Sequence, residues 1–263
     1  MARKTRLDRL LMEKTRLDSR SKAAAQIMAG EVTVDGKLID KPGSLVRRDA
    51  VITLKAKPRY VGRGGIKLEA ALAAFDVTAE ARICADVGAS TGGFTDCLLQ
   101  HGAARVYAID VGRGVLDYRL RVNERVIVLE STNARHLDAL PERPALVVID
   151  VSFISVRLIL PAVKRWAAAD ADIIALVKPQ FEVGKGEVGK GGIVRDPALR
   201  RRALRDIVTF AESLDMRSAD VIPSPITGAK GNVEYLLWLR LSAARGDSAQ
   251  VFSKIDALHA APD

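Results

Sequence analysis

The chain has 263 residues, 48% of them hydrophobic and 28% charged, so it can bury a substantial core and has the composition of a globular protein. Its 41 lysines and arginines exceed its 32 aspartates and glutamates by a formal charge of +9, which is typical of proteins that bind a polyanion such as nucleic acid, although a basic surface tuned for solubility is the alternative. No uncharged apolar stretch reaches the about 18 residues of a membrane span, and the basic start has no apolar core of a signal peptide behind it, so we expect a soluble protein of the cytoplasm.

Residues 1–57 are expected to form a small α+β RNA-binding domain. Apolar spacing predicts two short helices, and Asp18 or Ser19 would cap the second. Alternating residues before Asp35-Gly36 predict a hairpin. The predicted elements are helices over residues 6–11 and 19–28, a strand and turn over residues 32–36, and further sheet segments over residues 41–43 and 51–54.

Cations crowd the two helices of this domain. Such a run is often only a solvated face, but here it recurs on adjacent helices of a module too small to hold an active site, which favours binding of phosphates. The residues expected to bind RNA there are Arg3, Lys4, Arg6, Arg9, Arg16, Arg20 and Lys22. The arrangement R-L-D-x-x-L, S-R-x-x-A-x-x-x-I, G-x-V-x-V-D-G and K-P resembles the RNA-binding domain of ribosomal protein S-four, which implies recognition of structured RNA by shape and backbone.

Residues 58–63 are predicted to be a short ordered linker, and residues 64–243 a larger domain. Glycines run into an amphipathic helix, with Lys67 in its first turn. Because a cation there opposes the helix dipole, an ordinary surface lysine is the alternative interpretation of Lys67.

From residue 82 onward predicted strands alternate with helices, which indicates an α/β layered sheet. The strand candidates are residues 83–87, 105–109, 126–129, 145–149, 173–177, 217–222 and 233–239. The last two flank a loop rich in proline and glycine that is too short for a crossover helix, so the final strand should be antiparallel. Cys84 and Cys97 lie on apolar segments and should be free buried thiols in a reducing compartment. Residues 244–263 would be a short helix or a frayed tail.

A glycine-rich turn follows the first of these strands. Its glycines let a ligand lie against bare amides near the positive end of the next helix. The spacing departs from G-x-G-x-x-G and suits S-adenosylmethionine better than a dinucleotide, with an ordinary βα turn as the alternative. After the next strands, Asp110 could accept hydrogen bonds from a ribose, for NAD as well, and Asn133 could meet an adenine edge or simply make a turn. The expected cofactor-binding residues are Asp86, Gly88, Ala89, Ser90, Gly92, Gly93, Phe94, Asp110, Val111, Asn133 and Ala134.

Charged residues come at the ends of further strands, where ligands bind in such sheets. Asp150 and Lys178 each end a run of buried residues, and Glu234 lies in the predicted last strand. Each alone could be a salt-bridge partner, but together with Lys67 beside a cofactor turn they indicate a catalytic set, in which a desolvated lysine can act as a general base. The segment over residues 184–192 lacks the register of a phosphate-binding P-loop and would be a mobile lid over an anionic substrate.

The whole chain resembles the haemolysin A (TlyA) family of ribosomal RNA 2′-O-methyltransferases, whose methyltransferase domain is FtsJ-like. The matching motifs are Gly62-Arg63-Gly64-Gly65-x-Lys67-Leu68, Ala89-Ser90-Thr91-Gly92-Gly93-Phe94-Thr95, Asp110-Val111-Gly112, Thr132-Asn133-Ala134-Arg135, Asp150-x-Ser152-Phe153-Ile154-Ser155, residues 176–186 and Gly231-Asn232-Val233-Glu234-Tyr235. One departure is the stretch over residues 112–116, where the family usually has an aromatic residue and a glutamine. This difference concerns the details of cofactor binding and not the reaction.

This resemblance implies a Rossmann-like seven-stranded sheet, S-adenosylmethionine as the cofactor, and ribosomal RNA or ribosomal subunits as the partner. It implies a catalytic tetrad of Lys67, Asp150, Lys178 and Glu234. It also suggests cytidine as the target, in both ribosomal subunits. Arg63, Lys185 and Lys190 would add RNA contacts to those of the first domain.

In the expected reaction, Lys178 takes the proton of a ribose 2′-hydroxyl, its ammonium form disfavoured by desolvation and by Lys67, while Asp150 and Glu234 orient the lysines. No metal is expected, because the leaving group departs neutral and catalysis rests on positioning. We expect a monomer that does not bind membranes. The alternatives are a non-catalytic RNA-binding assembly factor, an NAD-dependent oxidoreductase and a membrane-lytic haemolysin.

Overall fold

The computed structural model describes residues 4–15, 17–55, 58–241 and 248–259. Contacts divide the chain into two compact units, Met1–Pro58 and Arg59–Asp263. Each unit has a hydrophobic core of its own. The predicted RNA-binding residues Arg3 and Arg16 lie outside the described residues, as do the parts of the predicted tail over residues 244–247 and 260–263.

The first unit combines two helices with two small antiparallel sheets. Its elements in chain order are β1 (Lys4–Arg6), α1 (Leu7–Thr15), α2 (Arg20–Met28), β2 (Val32–Val34), β3 (Lys37–Leu38), β4 (Leu45–Arg47) and β5 (Ile52–Leu54). The strand order is β3-β2-β5 in one sheet, and β1 pairs with β4 in the other. Ser19 caps α2 by accepting a hydrogen bond from the backbone N–H of Lys22, and the predicted hairpin turn joins β2 to β3.

The first helix starts one residue later than predicted, because residues 4–6 pair with β4 as a strand that the sequence pattern did not indicate. Leu7, Leu10 and Leu11 on α1 are buried against α2 and the larger sheet. The cations of the same helix, Arg9 and Lys14, are exposed on its solvent face, whereas the acidic Asp8 is buried with the leucines.

The second unit is a seven-stranded sheet with helices on both faces. Its elements are α3 (Gly64–Phe75), β6 (Ile83–Val87), α4 (Gly93–Gln100), β7 (Arg105–Ile109), α5 (Tyr118–Arg121), β8 (Val126–Leu129), β9 (Leu146–Ile149), α6 (Leu160–Trp166), β10 (Asp172–Val177), α7 (Pro179–Glu182), α8 (Pro197–Ser213), β11 (Met216–Pro223), β12 (Tyr235–Leu241) and α9 (Ala249–Leu258).

The strand order of the large sheet is β11-β12-β10-β9-β6-β7-β8. Strands β6 to β10 pair in parallel, whereas β12 runs antiparallel to both β10 and β11, so the predicted antiparallel final strand is confirmed. Alternate residues of the central strands enter two separate cores: Ala85 and Val87 lie in one, and Cys84 in the other. Both cysteines are free and buried, as expected.

The last strand begins at Tyr235, so Glu234 precedes it instead of lying within it as predicted. The predicted tail contains a regular helix, α9, whose Val251 and Ile255 are buried in the same core as α8 and β11. At the other end of the unit, the ring of Tyr60 is buried among α3 and α4, and the Val61 N–H donates to Asp96 at 2.8 Å. The segment predicted as a linker is thus packed on the second unit over these residues.

Candidate active site

The glycine-rich turn lies between β6 and α4 and has the conformation that glycine permits. Gly88 and Gly92 have φ of 86° and 96°, which side chains other than glycine rarely adopt. A Cβ atom at Gly88 would lie 2.5 Å from the backbone oxygen of Asp150, and Gly93 packs on the backbone of Gly62 and Gly64. The turn therefore brings three segments of the backbone into contact that a side chain would hold apart.

A cavity of about 460 Å³ opens beside this turn, at the carboxyl ends of the parallel strands. The predicted residues that line it are Gly88, Ser90, Asp110, Val111, Asn133, Ala134 and Asp150. A smaller cavity of about 110 Å³ also borders Gly88, Ser90 and Asp150, and its walls include Ala89, Gly93 and Phe94. The larger volume lies within the range of pockets that hold small-molecule ligands.

Asp110 ties the turn to the loop that follows β7. Its two carboxylate oxygens accept hydrogen bonds from the backbone N–H groups of Ser90 and Gly112, both at 2.7 Å. Asn133 accepts from the N–H of Arg135 at 3.1 Å and so caps a 3₁₀ turn while it also lines the cavity. Each oxygen retains a second lone pair, so these residues can also accept from a ligand.

Asp86 and Gly92 do not line either cavity. The Asp86 carboxylate is fully buried, accepts from Thr95 Oγ1 at 2.6 Å, and has a second oxygen without a hydrogen-bond partner among the described residues. Burial raises the pKa of Asp86 to about 7, and the charge of Asp150 contributes in the same direction. The space that a Cβ atom at Gly92 would need is occupied by the side chains of Leu116 and Leu120. The structure therefore gives no support to direct cofactor contacts by these two residues.

The sheet register explains why the four predicted catalytic residues meet. Val177 pairs with Tyr235, which puts the next residue, Lys178, beside Glu234 on one side. Ala175 pairs with Ile149, which puts Asp150 on the other side of β10. Lys67 reaches this edge from the first turn of α3. The carboxyl ends of β9 and β10 and the start of β12 thus present all four side chains together.

These four side chains form two ion pairs. The Lys178 Nζ atom lies 2.6 Å from Asp150 Oδ1, and Lys67 donates to Glu234 Oε2. Only 7% of Lys67 and 3% of Glu234 are exposed, so the surface interpretation of Lys67 is wrong. Burying an ion pair contributes little net stability, because the cost of removing both charges from water offsets their attraction. A functional role therefore explains these buried charges better than a stabilising one.

Ser152 and Phe153 follow Asp150 in the same loop, and the sequence-based set of site residues omitted both of them. Ser152 Oγ accepts a hydrogen bond from Lys178 Nζ at 2.8 Å. Phe153 is 87% exposed, has φ of 67°, and its ring centroid lies 5.2 Å from that of Phe181. The signal that could have found them is a polar and an aromatic residue directly past the end of a buried strand.

Glu182 on α7 holds the far end of this loop. One of its oxygens accepts from Ser155 Oγ at 2.5 Å, and the other from the N–H of Val156 at 2.8 Å. Burial raises the pKa of Glu182, while both hydrogen bonds oppose that rise. The loop over residues 150–156 is therefore fixed at both ends, by β9 and by α7.

The remaining predicted RNA-binding residues are dispersed over exposed positions. Those with exposed side chains are Lys4, Arg6, Arg9, Arg20, Lys22, Arg63 and Lys190. The side chain of Lys185 lies outside the described part of the chain. In the first unit, Asp8 is buried and accepts from Arg6 at 2.9 Å and from Arg20 at 2.8 Å, and these guanidinium groups hold the pKa of Asp8 well below its usual range.

The segment over residues 184–192 is tied to the loop that precedes Glu234. Asn232 is buried, donates to the carbonyl of Gly192 at 2.9 Å, and accepts from the Val194 N–H at 3.3 Å.

Within the described residues, no helix has the length and hydropathy to cross a membrane. The same residues include no group of three or more histidine, cysteine or acidic side chains that could hold a metal ion.

Comparison with known proteins gives consistent matches over both units. Residues 60–241 match the FtsJ-like methyltransferase family and residues 5–52 match the S4 domain. The 16S/23S rRNA (cytidine-2′-O)-methyltransferase TlyA of Mycobacterium tuberculosis is 48% identical, over 99% of this chain and 98% of its own length. Hemolysin A of Brachyspira hyodysenteriae is 42% identical, over 88% of this chain and 98% of its own. The solved structure of a Streptococcus thermophilus protein named as a hemolysin is 38% identical in sequence and superposes with a TM-score of 0.73, over 98% of this chain and 97% of that one.

Proposed function

Because this chain belongs to the TlyA family of rRNA (cytidine-2′-O)-methyltransferases, we propose that it transfers a methyl group from S-adenosylmethionine to the 2′-hydroxyl of a cytidine in ribosomal RNA. The observation that carries the proposal is that Asp150 lines both cavities and also contacts Lys178. A ligand in the cavity and a proton acceptor at Lys178 would therefore share one wall.

The residues around the larger cavity fit the proposed cofactor. Gly88 has no Cβ atom to close the gap to Asp150, and Asp110 in the cavity wall would accept hydrogen bonds from ribose hydroxyls of the bound cofactor. Backbone amides at the turn before α4 favour the negative end of a ligand. When bound, S-adenosylmethionine supplies an electrophilic methyl group on a sulfonium.

Lys178 is the proposed general base. Its Nζ atom, in the neutral form, accepts the proton of the 2′-hydroxyl, and Asp150 stabilises the ammonium that results. Lys67 brings a second positive charge to the same edge of the sheet and favours the alkoxide character that develops on the ribose oxygen. Glu234 holds Lys67 in place. The four residues therefore act as two pairs. Lys178 and Asp150 accept the proton, and Lys67 and Glu234 stabilise the negative charge that develops on the ribose oxygen.

The RNA is proposed to bind through the phosphate backbone, at the exposed cations of the S4 domain together with Arg63 and Lys190. The 2′-hydroxyl restricts the reaction to RNA. Since the M. tuberculosis relative is named for both 16S and 23S rRNA, we propose that this chain modifies both ribosomal subunits as well.

The test is transfer of tritiated methyl groups from S-adenosylmethionine to purified small subunits, large subunits and free ribosomal RNA, followed by mapping of the modified nucleotides. We expect the wild-type protein to label RNA and Lys178→Ala to lose about 10²- to 10⁴-fold of the rate, as is usual when a general base is removed. Lys164→Ala is the control, because Lys164 is a surface lysine paired with Asp215.

Full activity of Lys178→Ala would remove the lysine from its proposed role. Binding of ribosomal subunits without methyl transfer to any of them would favour an assembly factor. Stabilisation of the protein by NAD and not by S-adenosylmethionine would favour an oxidoreductase.

A further inference from the structure

Among the described residues, an oxygen of Asp150 and an oxygen of Ser152 contact the amine of Lys178, and the geometry of the two contacts differs. Asp150 Oδ1 lies 2.6 Å from Nζ, yet within the described residues this oxygen accepts no aligned hydrogen bond. Ser152 Oγ lies 2.8 Å from Nζ and does accept one. Asp150 therefore acts on Lys178 through its negative charge, whereas Ser152 fixes the orientation of the amine through a hydrogen bond.

Direction matters because a neutral lysine amine has two N–H bonds and a single lone pair, arranged tetrahedrally with the Cε atom. A hydrogen bond to Ser152 fixes one N–H and so restricts rotation about the Cε–Nζ bond. In the remaining orientations, the negative charge of Asp150, 2.6 Å from Nζ, repels the electron pair of the amine. The lone pair therefore favours the position that faces away from the Asp150 carboxylate and is not occupied by the N–H bound to Ser152.

We propose that Ser152 is a positioning residue that aims the lone pair of Lys178 at the reacting hydroxyl, a role that rests on the proposed function. In the step, the 2′-O–H bond breaks and its proton binds the lone pair of Nζ. The ribose oxygen uses the freed electron pair to bond the methyl carbon, and the cofactor sulfur keeps the pair of the broken S–C bond. Ser152 accepts a hydrogen bond throughout and neither gains nor loses a proton.

The loop that carries Ser152 is built to hold it in place. It starts at the end of β9, and Glu182 fixes its other end through Ser155 and Val156. Ser152 itself is exposed, so removal of its hydroxyl opens no cavity in the core. The loss of function expected from Ser152→Ala can thus be separated from a loss of folding.

The experiment compares Ser152→Ala, Ser152→Thr and the wild-type protein in single-turnover methyl transfer to ribosomal subunits, with KM measured for S-adenosylmethionine and for RNA. We expect Ser152→Ala to lower the maximal rate about 10- to 100-fold while both KM values stay within about twofold. Ser152→Thr retains a hydroxyl acceptor and should recover most of the rate. Ser213→Ala, a hydroxyl removed from the exposed end of α8, is the control.

The inference is overturned if Ser152→Ala keeps the wild-type rate, if Ser152→Thr is as slow as Ser152→Ala, or if the loss lies in KM alone. Lys178→Ala is measured alongside to separate this result from failure of the proposed function. If the wild-type protein transfers no methyl group, the function itself is wrong. If the wild-type protein is active, Lys178→Ala is inactive and Ser152→Ala is unaffected, only the positioning role is wrong. Thermal unfolding of each variant verifies that it is folded.

Discussion

At the scale of single residues, Asp86 shows why a motif position need not be a contact position. It stands two residues before Gly88 on a strand buried on both faces, so burial alone gives no indication of which face the carboxylate takes. The structure turns it toward Thr95 on α4, beneath the turn. Its pKa of about 7 means that it can hold a proton in the native state under conditions where an exposed aspartate is ionised.

Asp86→Asn should flatten the pH dependence of stability. The native carboxyl keeps its proton up to about pH 7, whereas the unfolded chain releases it near pH 4, so the native state binds more protons in that window. The free energy of unfolding of the wild-type protein therefore falls as pH rises from about 4 to 7, by up to about 4 kcal/mol from this group. Urea unfolding at several pH values measures the change, and the same decline in Asp86→Asn would contradict the assignment.

Thr95→Val is the matched partner of that experiment. The hydrogen bond from Thr95 lowers the pKa of Asp86, so its removal should raise the pKa further and extend the decline in stability to higher pH. The two variants are thus expected to move the pH profile in opposite directions, which a general loss of packing would not do.

Gly88→Ala should weaken binding of S-adenosylmethionine by about tenfold or more. The new Cβ would lie 2.5 Å from the backbone oxygen of Asp150 and push apart two walls of the cavity. Gly36→Ala is the control, because Gly36 in the first unit also has a positive φ, of 78°, but no atom lies within 4 Å of the position that its Cβ would take. Both variants carry the strain of a left-handed residue, about 1–2 kcal/mol. Calorimetric titration compares them, and equal affinities would show that the contact at Gly88 is unimportant.

At the scale of secondary-structure elements, runs of apolar and β-branched residues predicted the large sheet well. Three of its strands, β6, β7 and β8, have the bounds that the sequence predicted, and the loop before the last strand predicted its direction. The last strand begins two residues later than predicted, and the Glu234 carboxylate just before it pairs with Lys67 from α3, a long-range contact that no local pattern contains. Strand β1 was missed since Lys4–Arg6 is polar and pairs with residues about 40 positions later.

The site was predictable to the extent that it depends on strand ends. Asp110, Asp150 and Lys178 each directly follow a strand, and parallel strands bring their carboxyl ends to one edge. The pairing of Lys178 with Ser152 was not predictable, because it depends on the path of an irregular loop held by Glu182. Positions on regular elements follow from periodicity, whereas positions on loops depend on tertiary contacts.

The helix α9 is expected to contribute to stability as a packed element. Ile255 is fully buried against the core that α8 and β11 share, so Ile255→Ala should lower the free energy of unfolding by about 2–4 kcal/mol. Gln250→Ala, on the exposed side of the same helix, should change it by less than about 0.5 kcal/mol. Chemical denaturation monitored by circular dichroism compares the two, and equal effects would contradict the packing role of α9.

At the scale of the whole molecule, the residues proposed for RNA binding and for cofactor binding lie mostly in different compact units. The residues that line the cavities belong to the second unit, and most of the exposed cations predicted to bind RNA belong to the first. Binding of RNA and binding of the cofactor should therefore be open to separate perturbation. Arg6 and Arg20 are poor choices for this purpose, since each compensates the buried charge of Asp8 and its loss would also affect folding.

Arg9→Ala provides the sharper test, because the Arg9 side chain is exposed. If Arg9 contacts a phosphate, its removal should weaken binding to ribosomal RNA uniformly and reduce the slope of log K against log salt concentration by roughly 0.7–0.9. Arg48→Ala makes the same change to the formal charge of +9 in the same unit, at an exposed position outside the predicted RNA-binding set. Filter binding at several salt concentrations distinguishes a specific contact from a general charge effect, since equal slopes for the two variants would indicate net charge alone. The affinity for S-adenosylmethionine should be unchanged in both variants, because neither arginine belongs to the unit that contains the cavities.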